Sequence, residues 1–315
     1  MIEELRRGLS IVVPAYRSAS ILPLLVEELK PVLDGLGLDY ELIIVNDCSP
    51  DDTGDVIDQL SDQHDWVRGV HLMTNYGQHN ALLCGIRMAR YDTTVTMDDD
   101  LQHPPSEIPR LLTALAPADV VYGSPEHDQH SMWRVAAGRL TRMLLQHAMG
   151  ETASKVSAFR AFRTQLRDAF AHYQSNYVSI DALLTYGTRR FVSVSIRHQP
   201  RRAGVSNYTF TKLLGHAITM MTAFSTIPLR FASMVGLATT LLGVGLLIRT
   251  LLIWTTYGDV VPGWYSTAVM LCLFSGAQLV CIGIIGEYIG RVHFRLTDRP
   301  AYTVRRVTST RVGVA

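Results

Sequence analysis

Three consecutive carboxylates, Asp98, Asp99 and Asp100, follow a β-branched run from Thr93 to Met97 and precede Leu-Gln-His-Pro-Pro. The run reads as a buried strand, and Pro104 and Pro105 forbid its continuation as strand or helix. Side chains alternate along an extended backbone, so Asp98 and Asp100 are expected to project one way and Asp99 the other. Two like charges held that close are costly unless a cation lies between them, and hard divalent ions prefer oxygen ligands. An isolated Asp-x-Asp is more often an acidic turn or a helix cap. At the carboxyl end of a strand, where open α/β sheets bind their ligands, the same pattern points to a metal-diphosphate site.

Other polar clusters fall at matching places. Tyr16 follows the apolar run Ser10–Pro14 and offers a ring face. Asp47, in Asn46-Asp47-Cys48-Ser49, follows Glu41–Val45 and offers an acceptor for a base or ribose. Asn75-Tyr76-Gly77-Gln78-His79 follows the segment 67–73. Alone, Asp47 reads as well as a helix N-cap, and His79 as a helix-start residue. Four polar loops on one rim of a sheet are harder to dismiss.

The elements that must position these residues alternate. Strands are expected at 9–14, 41–45, 67–73, 93–97 and 119–123. Helices are expected from a cap at Ser18 or Ser20 to about Leu33, then at 52–62, 78–90 and 106–115. Such alternation implies an α/β fold, a mostly parallel sheet covered on both faces. No Gly-x-Gly-x-x-Gly or Walker sequence is present, which removes the best support for dinucleotide or P-loop binding.

Lysine plus arginine (29) nearly balances aspartate plus glutamate (28), so net charge implies no nucleic-acid partner. The 48% hydrophobic content is concentrated late in the chain. Cys48, Cys84, Cys272 and Cys281 lack Cys-x-x-Cys spacing, which argues for reduced thiols rather than a disulfide framework or zinc site. Phe231–Ile248 is uncharged and continues past Arg249 to Trp254, and Trp264–Gly286 carries no charge. Each is long enough to cross a hydrocarbon core, which takes about 20 residues. The 255–263 connection contains Asp259 and no basic residue, whereas Arg230 precedes the pair and Arg291, Arg295, Arg299, Arg305, Arg306 and Arg311 follow it. By the positive-inside rule the amino-terminal region and the carboxyl terminus are cytoplasmic, giving a multi-pass protein of the inner (plasma) membrane. The expected divisions are a catalytic domain over 1–206, an amphipathic interface helix over 207–230, a transmembrane hairpin over 231–290 and a basic tail over 291–315.

Ile11-Val-Val-Pro-Ala-Tyr16, Asn46-Asp-Cys-Ser49, Asn75-Tyr-Gly-Gln-His79 and Asp98-Asp-Asp-Leu-Gln-His-Pro-Pro105 resemble glycosyltransferase family 2. Within that family the likeness is to polyprenyl-phosphate glycosyltransferases, such as dolichol-phosphate mannose synthases and undecaprenyl-phosphate formamidoarabinose transferases. The resemblance implies a GT-A type, Rossmann-like sheet and an inverting transfer of sugar from a nucleotide donor to polyprenyl phosphate, with the 75–79 block leaning towards a UDP-sugar. It implies that Mg²⁺ or Mn²⁺ is held by Asp98, Asp100 and Gln102. It implies donor binding by Pro14, Ala15, Tyr16, Asp47, Tyr76, Gln78, His79 and Asp99. Arg134, with Arg139 as a companion, matches the family's arginine at the acceptor phosphate, and guanidinium groups suit phosphate oxygens. Arg201, Gly204, Ser206 and Tyr208 match a loop over the active site, with Arg201 and Ser206 toward the acceptor.

There are departures from the family pattern. Ser154 holds the place of an aspartate proposed as the base, Asn207 replaces a lysine and Val205 an acidic residue. A phosphate monoester has its second pKa near 6, so at about pH 7 the acceptor is its own dianionic nucleophile; another carboxylate such as Asp99 is the alternative. Family likeness and the glycines Gly276, Gly283, Gly286 and Gly290 suggest a tetramer. Rival readings are a catalytically inactive membrane scaffold or flippase partner that binds nucleotide, and a processive polysaccharide synthase. The synthase would need a Gln-x-x-Arg-Trp block, which is absent.

Overall fold

A computed structural model describes residues 6–125, 156–175, 178–197, 227–257, 263–296 and 300–308. The chain divides into two compact units, Met1–Leu213 with Asp298–Ala315, and Leu214–Thr297. In the first, strands β1 (Arg6–Ala15), β2 (Tyr40–Asn46), β3 (Val67–Leu72) and β4 (Tyr91–Thr96) alternate with helices α1 (Leu22–Asp34), α2 (Thr53–Gln63) and α3 (Gln78–Met88). Helix α4 (Ile108–Leu115) leads into β5 (Val120–Pro125), and β6 (Arg160–Arg163), helix α5 (Ile180–Gly187), β7 (Phe191–Ile196) and β8 (Val304–Val307) follow among the described residues.

The eight strands among the described residues lie in one sheet of order β7-β5-β6-β4-β1-β2-β3-β8. β1 runs parallel to β2 and β4, β2 parallel to β3, and β5 parallel to β7. The continuous apolar runs explain the centre. Ile11, Val12, Val13, Leu42, Ile43, Ile44 and Val45 are fully buried, as strands covered on both faces by crossover helices require. Leu22, Leu25, Leu29 and Leu33 recur at helical spacing along α1 and are fully buried.

Three differences from the sequence reading have physical causes. Helix α1 begins after Ile21 with no side-chain cap; Ser18 contributes only its carbonyl, to the Ile21 and Leu22 amides. β6 pairs antiparallel with β4 and β5. Its sequence, Arg-Ala-Phe-Arg, carries charge at both ends and hides any strand pattern. Residues 304–307, expected in a basic tail, form β8 antiparallel to β3. A Val-Arg-Arg-Val strand suits a sheet edge, where charge discourages further pairing.

The second unit contains α6 (Ile227–Tyr257) and α7 (Trp264–Leu296), 31 and 33 residues long. Two stretches within them, Leu229–Arg249 and Leu273–Gly290, are long and apolar enough to cross a membrane. Large apolar side chains such as Met234, Leu241, Leu271 and Leu279 are more than 60% exposed, which is tolerable for a hairpin surrounded by lipid. The helices pack on each other. A Cβ on Gly243 would come within 3.0 Å of the Phe274 ring, so the glycine admits the ring. The expected interface helix over 207–230 lies outside the described residues up to 226.

Candidate active site

The loops after β1, β2, β3 and β4 all leave the same, carboxyl-terminal edge of the sheet. Register brings the first two together: Ala15 pairs with Asn46, so Tyr16 and Asp47 are the first residues past neighbouring strand ends. Each loop contains a residue with left-handed backbone: Arg17 (φ 59°), Cys48 (φ 54°), Gly77 (φ 90°) and Leu101 (φ 57°). Three of these have a side chain, and such conformations persist only where surroundings enforce them, commonly at functional sites. At Gly77 a Cβ would meet nothing within 4 Å, so the positive φ rather than crowding calls for glycine.

Cross-loop hydrogen bonds hold the rim. The Asp47 carboxylate accepts from Tyr76 N at 2.7 Å and Gly77 N at 2.8 Å. Asp47 is nearly buried, and burial pushes its carboxyl pKa up against the opposing pull of the two amides. Asn80 Nδ2 donates to Tyr76 O at 2.5 Å, closing the start of α3. Thus the third loop is fixed by the second, and α3 opens with Gln78 aimed at the fourth. Gln78 Nε2 donates to Asp98 Oδ1 at 2.6 Å.

The acid loop is more bent than expected. β4 ends at Thr96, and the backbone turns at Asp99 and Asp100. Strand alternation therefore does not orient the three carboxylates; the turn and their partners do. Asp98 is partly exposed beneath the Gln78 amide. Asp99 accepts a hydrogen bond from Ser18 Oγ, which itself accepts from Tyr16 N at 3.1 Å. Burial raises the Asp99 pKa, Ser18 lowers it and neighbouring Asp100 raises it. Asp100 is 9% exposed and accepts from Gln102 N at 3.1 Å. No group of three or more His, Cys, Asp or Glu able to hold a metal ion is found among the described residues. Two carboxylates and an amide oxygen are nevertheless a donor set suited to a hard cation that takes its other ligands from substrate phosphate and water, as Mg²⁺ does.

The other expected donor residues are placed less directly. Pro14 and Ala15 are buried in β1, and the Ala15 carbonyl accepts from Asp47 N at 3.0 Å. Tyr16 is 44% exposed, with the Arg17 guanidinium 5.5 Å from its ring centre. His79 turns toward α5, its Nδ1 3.5 Å from Ile180 N. Arg134, Arg139, Arg201 and Ser206 lie outside the described residues, as do Ser154 and Asn207.

Structure also brings in residues that sequence reasoning missed. Arg160, 1% exposed, donates from Nε to Thr96 Oγ1 at 2.9 Å and from Nη1 to Asp181 Oδ1. Tyr122 Oη donates to the same Asp181 oxygen at 3.0 Å, and burial drives its phenol pKa well above the usual value. This network ties the last residue of β4 to β6, β5 and the first turn of α5, directly behind the acid loop. Ser18 and Thr53 form a second brace, with Ser18 N donating to Thr53 Oγ1 at 2.8 Å. The only early signal was an arginine inside an otherwise apolar Ala-Phe-Arg-Ala-Phe.

Comparison with known proteins agrees with this geometry. Residues 10–172 match the model for glycosyl transferase family 2, and residues 227–292 match the GtrB C-terminal hairpin. Among curated relatives, undecaprenyl-phosphate 4-deoxy-4-formamido-L-arabinose transferase of Enterobacter sp. (strain 638) is 32% identical over 308 residues, covering 95% of this chain and 93% of its own. The enzyme of that name from Yersinia enterocolitica is 32% identical over 309 residues, covering 96% and 94%. Among solved structures, glucosyl-3-phosphoglycerate synthase from Mycobacterium tuberculosis, in complex with Mn²⁺, UDP and phosphoglyceric acid, aligns with TM-score 0.51 at 20% identity, over 69% of this chain and 76% of that one. At that identity the likeness shows a shared GT-A-like fold. On the strength of the family match, the hairpin and the near full-length relatives, the chain belongs to glycosyltransferase family 2, in its polyprenyl-phosphate glycosyltransferase subgroup.

Proposed function

We propose that this protein transfers a sugar from a nucleoside diphosphate sugar, UDP-linked, to undecaprenyl or another polyprenyl phosphate at the cytoplasmic leaflet, with inversion at the anomeric carbon. One observation carries most of this reading: the convergence of four strand-end loops, cross-braced through Asp47, Gln78 and Ser18, around Asp98–Asp100. Such a rim presents an aromatic face at Tyr16, amide donors and carboxylates along one edge of the sheet, which suits base, ribose and diphosphate in turn.

Asp98, Asp100 and the Gln102 amide would hold Mg²⁺ or Mn²⁺. When bound, the ion neutralises charge on the departing diphosphate. Asp47 and Ser18 act through the loops they brace, keeping Tyr76, Gln78 and Asp99 in place for the donor. Arg134, Arg139, Arg201 and Ser206 would grip the acceptor phosphate. A phosphate oxygen then attacks the anomeric carbon as the bond from that carbon to the β-phosphate oxygen breaks, and the nucleoside diphosphate leaves with the electron pair. A dianionic acceptor loses no proton in this step, so Ser154 in the place of a base is compatible with turnover. Positioning supplies the rate.

The two apolar helices, with basic residues on both outer flanks, support a multi-pass hairpin whose connecting loop faces away from the cytoplasm. Open space beside Gly276, Gly283, Gly286 and Gly290 supports association of hairpins into the homo-oligomer, a tetramer, expected from the family. The deciding experiment uses detergent-purified full-length protein, undecaprenyl phosphate, Mg²⁺ or Mn²⁺ and a panel of UDP- and GDP-sugars, with lipid products identified by mass. A divalent-dependent product of one phosphate-linked sugar on the lipid is expected with a UDP-sugar. Nucleotide binding without any lipid product across the panel would refute the transferase reading.

A further inference from the structure

The strand after the second apolar helix is joined to the donor loops by an unbroken chain of side chains. β8 is sealed to β3 at both ends: Met73 N donates to Thr303 O at 2.9 Å, and Thr308 N to Gly69 O at 2.9 Å. Gly69 N returns a bond to Thr308 Oγ1 at 2.7 Å. From this strand Arg306 reaches across to α2 and grips both oxygens of Asp58, Nη1 to Oδ1 at 3.0 Å and Nη2 to Oδ2 at 2.5 Å. Asp58 Oδ1 lies 3.0 Å from His71 Nε2 on β3. His71 Nδ1 lies 3.2 Å from Asn46 Nδ2 at the end of β2. Asn46 Oδ1 accepts from Ser49 N at 2.9 Å, and Ser49 Oγ accepts from Arg17 N at 3.2 Å.

The polarity of every link is determined. Ser49 N occupies the Asn46 oxygen, so the Asn46 amide can offer only N–H to His71. His71 Nδ1 must therefore be the acceptor, and its proton sits on Nε2, facing the Asp58 carboxylate. Arg306 orients the Asp58 carboxylate through its two-point contact. His71 and Asn46 are 5% and 6% exposed, so water competes poorly for these bonds. Burial and the nearby Arg306 guanidinium both hold the His71 pKa below its ordinary value, which keeps the imidazole neutral as the chain requires.

The far end of this chain is the pair of loops in which the left-handed residues Arg17 and Cys48 directly follow Tyr16 and Asp47. From this we infer that Arg306 is a positioning residue for the nucleotide-sugar site: through Asp58, His71 and Asn46 it fixes the conformation of the Asn46–Ser49 loop and so sets donor affinity from the carboxyl-terminal strand. The inference rests on the proposed transferase reading for the identity of the donor, while the chain of contacts stands apart from it. Its functional consequence is that the strand following the second apolar helix acts on the donor site through intervening side chains.

The test uses full-length protein in detergent, with UDP binding in the presence of Mn²⁺ followed by calorimetry, alongside steady-state kinetics. Arg306→Ala should weaken UDP binding and raise the donor KM about three- to tenfold, the range of coupling through a short contact network, while acceptor KM and thermal midpoint change little. Arg306→Lys should recover part of the loss, because it restores charge but not the two-point grip. Asp58→Asn should weaken UDP binding similarly and add little to Arg306→Ala, since both break one chain. Equal UDP binding by wild type and Arg306→Ala overturns the inference and leaves the transferase reading standing. A loss in which both KM values, kcat and thermal midpoint move together also overturns it, as a general structural defect. Wild-type protein that binds UDP but makes no lipid product refutes the transferase reading and leaves the coupling measurable in binding; wild type that binds no nucleotide overturns both.

Discussion

Replacing Asp47 by alanine tests how far one buried carboxylate organises the site. The side chain is 3% exposed and accepts two backbone N–H bonds, at 2.7 and 2.8 Å, from the loop that starts α3. Bonds to a charged acceptor each contribute roughly 1.5–3 kcal/mol, and a buried donor left unpaired costs about 1–3 kcal/mol. Against this stands the cost of burying the carboxylate, visible in its raised pKa, which alanine relieves. The net loss should be about 1–3 kcal/mol. For a folded unit of this size each kcal/mol moves the midpoint by about 2–4 °C, so a fall of about 2–12 °C is expected. The activity signature is sharper. The released loop leads directly into Gln78, whose amide bonds Asp98, so donor KM should rise while acceptor KM does not. Asp47→Asn should fall between, keeping one acceptor but turning an NH₂ toward an amide N–H. Thermal unfolding of the detergent-purified full chain, with initial rates at varied donor and acceptor, makes the measurement. A midpoint within about 1 °C of wild type, well below the drop worked out above, together with an unchanged donor KM, would show that the two amides do not need Asp47.

Other outcomes follow from the same contacts. Asp100→Ala should abolish transfer while thermal unfolding stays close to wild type; an active variant would remove Asp100 from the metal set. Arg134→Ala should raise the acceptor KM more than the donor KM, and the opposite split counts against a phosphate role. Asp181→Ala strands the buried Arg160 guanidinium, which costs about 3–5 kcal/mol, so the midpoint should drop by at least about 6 °C at about 2 °C per kcal/mol; Asp181→Ala combined with Arg160→Met should recover much of it. For His71 the folded pKa is depressed below the unfolded value, near 6.5. Its contribution is therefore complete above about pH 6.5 and is lost as pH falls through the folded pKa, because the unfolded chain takes the proton first. Below that point His71 Nδ1–H would face the Asn46 amide N–H, and Arg305 and Arg306 would repel the ring. Stability measured from pH 7.5 to 5 should fall toward acid in wild type and fall less in His71→Asn; parallel curves would exclude His71 as the source.

The sequence determined the alternating α/β frame because burial on both faces demands apolar or β-branched runs that few other arrangements tolerate, and Ser10–Pro14, Glu41–Val45 and Thr93–Met97 are such runs. It also determined the two long helices, since charge-free stretches of that length have few other uses, and it marked Asp98–Asp100 by position after a strand. What only tertiary structure decided lies where charge is buried or partners are distant in sequence. Arg160 and Asp181 are 21 residues apart, and Arg306 and Asp58 are 248 apart. Neither pairing leaves a local periodic trace, so β6 is absent from the expected strands and β8 falls within the expected basic tail. The contacts within the rim came from the packed sheet as well: Asp47 faces two amides, Asp99 faces Ser18, and the turn after Thr96 replaces strand alternation. Hydrophobic pattern fixes which segments are inside, because burial is scored residue by residue; which polar groups meet there depends on directions that only the packed sheet supplies.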